Sequence, residues 1–208
     1  GPRTKQFEEN FTKAVGAQYA LAVNSCTAAL HLAVEALELQ AGQAVLIPTM
    51  TFAATAEIIR YQGALPILVD CEPTSLNIDL RDAERKLQLL RAGKLSIPAD
   101  AKVVGIIPVH VGGAMVDMET VADFAKSHRL WVVEDSAHAL PAAFKAADGR
   151  WRKSGQNTAA VTCFSFYANK TITTGEGGMA VTDDEGLATR MRQMSLHGFY
   201  RGKGLVGR

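Results

Sequence analysis

Along this 208-residue chain, short and nearly unbroken apolar runs alternate with longer segments whose apolar residues recur every three or four positions. The runs "YALAVN", "QAVLIP", "LPILVD", "KVVGIIPVH", "RLWVVED", "AAVTCFSF" and "GMAVT" predict strands. Few polar residues interrupt them, as expected of strands covered by helices on both faces. Between them, "TAALHLAVEALEL", "FAATAEIIRY", "DLRDAERKLQLL", "DMETVADFAKSH" and "DDEGLATRMRQMS" predict helices. In the first, Leu30, Ala33, Val34 and Leu37 fall at helical spacing and face the sheet. This order predicts an α/β fold: a three-layer α/β/α sandwich around a mostly parallel, seven-stranded, doubly wound sheet. "GMAVT" follows "CFSFYANK" after a connection too short for a helical crossover, so this strand is expected to run antiparallel. No repeat or low-complexity tract interrupts the pattern. The most irregular stretch, "KAADGRWRKSGQN", is read as a surface loop.

Composition narrows the partners. The chain has 22 basic and 21 acidic residues, a net charge of +1, and so no electrostatic footprint for nucleic acid or a membrane surface. No apolar run approaches the roughly 18 residues of a membrane span, and "GPRTKQFEEN" lacks the apolar segment of a signal peptide. Cys26, Cys71 and Cys163 are too few and too scattered for a disulfide scaffold or a metal site. A cytoplasmic protein acting on small molecules is the expectation.

In open parallel sheets, ligands bind beyond the carboxyl ends of the strands, so the residues that follow each strand are the place to look. Asn24-Ser25-Cys26-Thr27 opens a helix after the first strand. Its free N–H groups, the helix dipole and the Thr27 hydroxyl suit an anion; plain capping by Ser25 or Thr27 is the alternative. "PTMTFAAT" follows the second strand, and its Phe52 either packs in the core or offers a ring for stacking on a planar ligand. "LWVVEDSAHAL" ends a strand in Glu134 and Asp135, followed by His138. One of the two carboxylates can hold a protonated ring nitrogen while the other only caps the next segment, and Ala137 is small enough to let a flat ring lie close. "FSFYANK" supplies the Ser165 hydroxyl and Lys170, the latter in apolar, glycine-rich surroundings. A lysine partly withdrawn from water there yields a neutral amine able to form a Schiff base with a carbonyl compound. Anion cradle, aromatic plate, carboxylate and amine together are the parts of a pyridoxal phosphate site.

The same four segments, "NSCTAALHLAVEAL", "PTMTFAAT", "VEDSAHAL" and "FSFYANKTITTGEGGMAVTDD", carry a resemblance. Nearly the whole chain resembles the large domain of the DegT/DnrJ/StrS family, sugar aminotransferases among the fold-type I pyridoxal phosphate enzymes. The resemblance implies that residues 1–208 form a cofactor-binding large domain, and that relatives continue into a smaller C-terminal domain. It implies that Lys170 bonds to the cofactor aldehyde and shuttles the proton, and it selects Asp135 over Glu134 as partner of the pyridine nitrogen. Lys170 and Asp135 are thus the catalytic pair. His138 would contact the phenolic oxygen side, Phe52 would stack on the ring, and Cys26, Thr27 and Ser165 would hold the phosphate. The implied reaction moves an amino group from a donor such as glutamate to a nucleotide-linked keto sugar, in polysaccharide or secondary-metabolite sugar biosynthesis, within at least a homodimer. A cofactor domain without turnover is the alternative. Cys26 stands where many relatives carry glycine, without consequence if only its N–H is used; Pro141 stands where glycine is common after the histidine, so the loop from Pro141 to Asn157 is expected to differ in shape. Arg201 and Lys203 are candidate partners for the sugar diphosphate, against a reading as solvated loop charges.

Overall fold

The computed structural model describes residues 1–156 and 159–198. The strands are β1 (Tyr19–Val23), β2 (Ala44–Pro48), β3 (Leu65–Val69), β4 (Val103–Ile106), β5 (Trp131–Asp135), β6 (Ala143–Lys145), β7 (Trp151–Lys153), β8 (Val161–Ser165) and β9 (Gly178–Thr182). The helices are α1 (Pro2–Val15), α2 (Cys26–Ala36), α3 (Ala54–Tyr61), α4 (Leu80–Arg91), α5 (Met118–His128) and α6 (Glu185–Met194). Seven strands form one sheet in the order β1-β9-β8-β5-β4-β2-β3. As expected, only β9 runs against its neighbours, antiparallel to both β1 and β8. Pro66 is tolerated in β3 because that strand is at the sheet edge, where a missing N–H breaks no ladder. Pro108 likewise ends β4 at Ile106, and the chain returns to the sheet in a single bridge between Val109 and Asp135.

Each inner strand buries both faces, and successive side chains enter different cores. In β2, Val45 and Ile47 pack with Leu30, Ile58 and Met191, whereas Ala44 and Leu46 pack with Leu87, Val121 and Ala125. Helices α2, α3 and α6 therefore cover one face, and α4 and α5 the other. No helix is long and apolar enough to cross a membrane among the described residues.

Two elements go beyond the sequence pattern. α1 joins the α4 and α5 side of the sheet and sets Phe7 and Phe11 against Phe164 and Phe166, with ring centroids 5.0–5.5 Å apart across the contact. The stretch read as a surface loop instead contains a hairpin, in which β6 and β7 pair Ala143 with Lys153 and Lys145 with Trp151. The turn closes through Gly149 at φ 82°, a left-handed conformation natural to glycine. Phe144 and Ala146 then fill the core under α5, which is why the segment folds back rather than straying into solvent. Arg201 and Lys203 lie outside the described residues.

Candidate active site

The carboxyl ends of β1, β2, β4, β5 and β8 converge on one cavity of about 600 Å³. The seven cofactor-site residues expected from the sequence line it: Cys26, Thr27, Phe52, Asp135, His138, Ser165 and Lys170.

At one end lies the start of α2. Ser25 caps this helix by accepting from the Ala28 N–H at 3.0 Å, the capping reading of the segment. The cap leaves the N–H groups of Cys26 and Thr27 without acceptors inside the helix. Gly178 at the start of β9 permits this arrangement: a Cβ there would lie 2.3 Å from the Ser25 carbonyl carbon and 2.6 Å from the Cys26 nitrogen. The Cys26 thiol is pushed well up by burial first, then by Asp135 and Cys163, against the weaker pull of Lys170. Cys26 thus offers the cavity a backbone N–H, and its side chain stays neutral.

Asp135 ends β5 almost fully buried. Its Oδ1 accepts from the Ala137 N–H at 3.1 Å and its Oδ2 from the Thr55 hydroxyl at 3.0 Å. Burial raises its pKa above its ordinary value; the bonds from Ala137 and Thr55, and then His138, pull the other way. Glu134, one position earlier, points to the opposite face of the sheet, as strand alternation requires. There it accepts from Ser154 (2.9 Å) and Ser136 (3.0 Å) at Oε1 and from Thr162 (3.1 Å) at Oε2. His110 joins through Nε2 at 2.8 Å; because its Nδ1 accepts the Val116 N–H, Nε2 carries the proton and donates. Ser154 follows the hairpin strand β7, so Glu134 is the tie between that hairpin and the sheet.

Phe52 is 78% exposed, which removes the core-packing reading and leaves its ring at the cavity rim. His138 is depressed by burial first and by Lys170 second, with Asp135 partly opposing. Lys170 is half-buried, its backbone N–H bonded to the Tyr167 carbonyl at 3.0 Å in the turn after β8. No hydrogen bond or ion pair engages its Nζ among the described residues. Thr51, Tyr167, Asn169 and Glu176 also line the cavity, and Thr55 stands behind Asp135, without a mark in the strand-end pattern. The signal for Thr51 and Thr55 is instead in "PTMTFAAT", where their hydroxyls stand four residues apart at a helix start. No group of three or more His, Cys, Asp or Glu that could hold a metal ion occurs among the described residues.

These parts fit pyridoxal phosphate. The orphan N–H groups and the backbone approach at Gly178 suit an anion, the buried acceptor Asp135 suits a protonated ring nitrogen, and Lys170 Nζ has no competing partner among the described residues.

The fold is one shared with solved enzymes of this chemistry. NtdA from Bacillus subtilis, solved with bound cofactor PMP, superposes with a TM-score of 0.80 at 29% identity, over 98% of this chain and 42% of that one. The chain belongs to the DegT/DnrJ/EryC1/StrS aminotransferase family, whose model matches residues 1–206. Among curated relatives, the spore coat polysaccharide biosynthesis protein SpsC of Bacillus subtilis is 41% identical over 95% of this chain and 46% of its own length. GDP-perosamine synthase of Caulobacter vibrioides is 38% identical over 93% of this chain and 47% of its own length. The chain thus spans about half the length of the curated relatives it matches.

Proposed function

We propose that this chain is the cofactor-binding large domain of a pyridoxal phosphate-dependent aminotransferase. In this reading it moves an amino group from an amino acid such as glutamate to a keto sugar carried on a nucleoside diphosphate. The observation that carries the reading is the meeting, in one cavity, of Lys170, buried Asp135 and the open start of α2. The similarity to GDP-perosamine synthase and SpsC supports the sugar substrate, since the matched half includes all four signature segments.

Bound pyridoxal phosphate supplies an aldehyde that captures amines and a ring that withdraws electrons from the captured carbon. The protein's own groups do the rest. The Cys26 and Thr27 N–H groups bind the phosphate with the hydroxyls of Thr27 and Ser165, and Phe52 shields a ring face from water. Asp135 holds a proton on the ring nitrogen through a charge-assisted bond. His138, depressed towards its neutral form, would take the phenolic oxygen side without adding a second positive charge beside Lys170. Lys170 Nζ would hold the aldehyde end of the cofactor and, when free, would serve as the base and then the acid that moves a proton at the donor's α-carbon. A homodimer or larger homo-oligomer is part of this reading.

The test loads the full chain with pyridoxal phosphate, reduces it with borohydride and maps the peptides by mass. The expected outcome is a pyridoxyl label on the Lys170 peptide that is absent from Lys170→Ala; a chain that retains no cofactor would falsify the reading. Added glutamate then separates the two functional alternatives. Conversion to pyridoxamine phosphate marks an aminotransferase half-reaction, and an unchanged spectrum marks a domain that holds the cofactor without turnover.

A further inference from the structure

Asp135 is a carboxylate in a place that disfavours charge, so something in the fold must keep it ionised. The groups facing it come from several elements. Ala137 donates from the loop after β5, Thr55 from the first turn of α3, and the His138 ring acts through space, while His110, neutral because its Nδ1 accepts from Val116, brings no charge. Cys26 and Cys163 also face it, both held neutral by their own burial. Of these, Thr55 makes the only side-chain hydrogen bond to Asp135 among the described residues.

The direction of that bond can be deduced. An ionised carboxylate only accepts, so the single proton of Thr55 Oγ1 is committed to Asp135 Oδ2. Thr55 Oγ1 also lies 2.7 Å from Thr51 Oγ1, and with its own proton spent it must accept there. The chain therefore runs Thr51 to Thr55 to Asp135, from a half-buried hydroxyl on the cavity wall to a carboxylate 80 residues away from Thr55 in sequence. Thr55 is itself fully buried, so its hydroxyl has no solvent partner to substitute for either bond. Thr51 polarises Thr55, and a polarised donor makes the stronger bond to the anion.

We propose that Thr55, backed by Thr51, is a positioning residue that fixes the Asp135 carboxylate in its ionised form and in a single orientation at the cavity. On the functional reading above, this keeps the ring nitrogen of the cofactor protonated, and the inference rests on that reading only for this consequence. Removing the hydroxyl should raise the Asp135 pKa and loosen the proton on the ring nitrogen, whereas serine should preserve both.

The experiment uses the full chain with carboxyl-¹³C aspartate and follows the Asp135 signal, assigned with Asp135→Asn, through a pH titration before cofactor is added. The expected result is an upward displacement of the Asp135 midpoint in Thr55→Val, a smaller one in Thr51→Val, and a wild-type midpoint in Thr55→Ser. Superimposable curves for wild type and both valine variants overturn the proposal. Should Thr55→Val fold poorly, the comparison of Thr51→Val with wild type decides alone, because Thr51 is half-buried and its hydroxyl leaves no buried void. Pyridoxal phosphate labelled with ¹⁵N in the ring is then added. Failure of wild type to retain it overturns the functional reading and leaves the titration result standing. Retention with a ring-nitrogen signal displaced towards the unprotonated form in Thr55→Val and restored in Thr55→Ser supports the consequence; an undisplaced signal overturns it.

Discussion

Cys26 occupies a position where two opposing effects meet. A helix start and the nearby Lys170 favour a thiolate, while burial, Asp135 and Cys163 disfavour it, and burial is the largest of these influences. Cys163, wholly inside the sheet, is pushed up in the same way. Iodoacetamide should therefore leave Cys26 and Cys163 unmodified in the folded chain at neutral pH while labelling half-exposed Cys71, as read by peptide mass. A second coupling is testable at His138. Lys170 helps to depress it, so Lys170→Met should raise the His138 midpoint in a proton NMR titration. Phe52 illustrates what residue identity alone leaves open: a phenylalanine is usually interior, and only the turn before α3 leaves this one exposed at the rim.

At the scale of elements, the helix starts are written in the sequence. Asp79, Asp117 and Asp184 each accept from first-turn N–H groups of α4, α5 and α6. Asp117 takes two such bonds, and Asp117→Ala should cost about 1 kcal/mol in urea unfolding. The start of α2 also depends on a distant strand. Gly178→Ala would drive a methyl group into the Ser25–Cys26 backbone, so it should weaken retention of pyridoxal phosphate several-fold in equilibrium dialysis while far-ultraviolet circular dichroism stays unchanged. The hairpin β6–β7 left only a faint trace, an Asp148-Gly149 turn between strands of three residues each, too short for a period to register. For α1 the trace was Phe7, Phe11 and Val15 at four-residue spacing, closed by left-handed Gly16.

Across the whole molecule, the buried carboxylate sets function against stability. A folded-state pKa above that of the unfolded chain means that the native state binds the Asp135 proton more tightly. Ionisation of Asp135 therefore costs stability in full above its raised folded pKa. The cost fades as pH falls towards the ordinary carboxylate value, and below that value it is gone. Asp135→Asn should accordingly raise the melting temperature of the cofactor-free chain at neutral pH, and the advantage over wild type should vanish in acid. An equal melting difference at both pH values would assign the effect to packing instead.

The sequence by itself determined the α/β class, the seven sheet strands and five of the helices, because burial on two faces or on one stripe imposes its period directly on the residues. It also brought the chemistry into view, since groups placed just after strands gather at one edge of any parallel sheet. Tertiary structure decided what local pattern does not encode. It set the order of the strands, turned Asp135 towards the cavity and Glu134 towards the hairpin, and gave Asp135 its hydroxyl partner from helix α3. Such contacts join residues far apart in the chain, and packing alone selects which of many compatible hydroxyls and carboxylates finally meet.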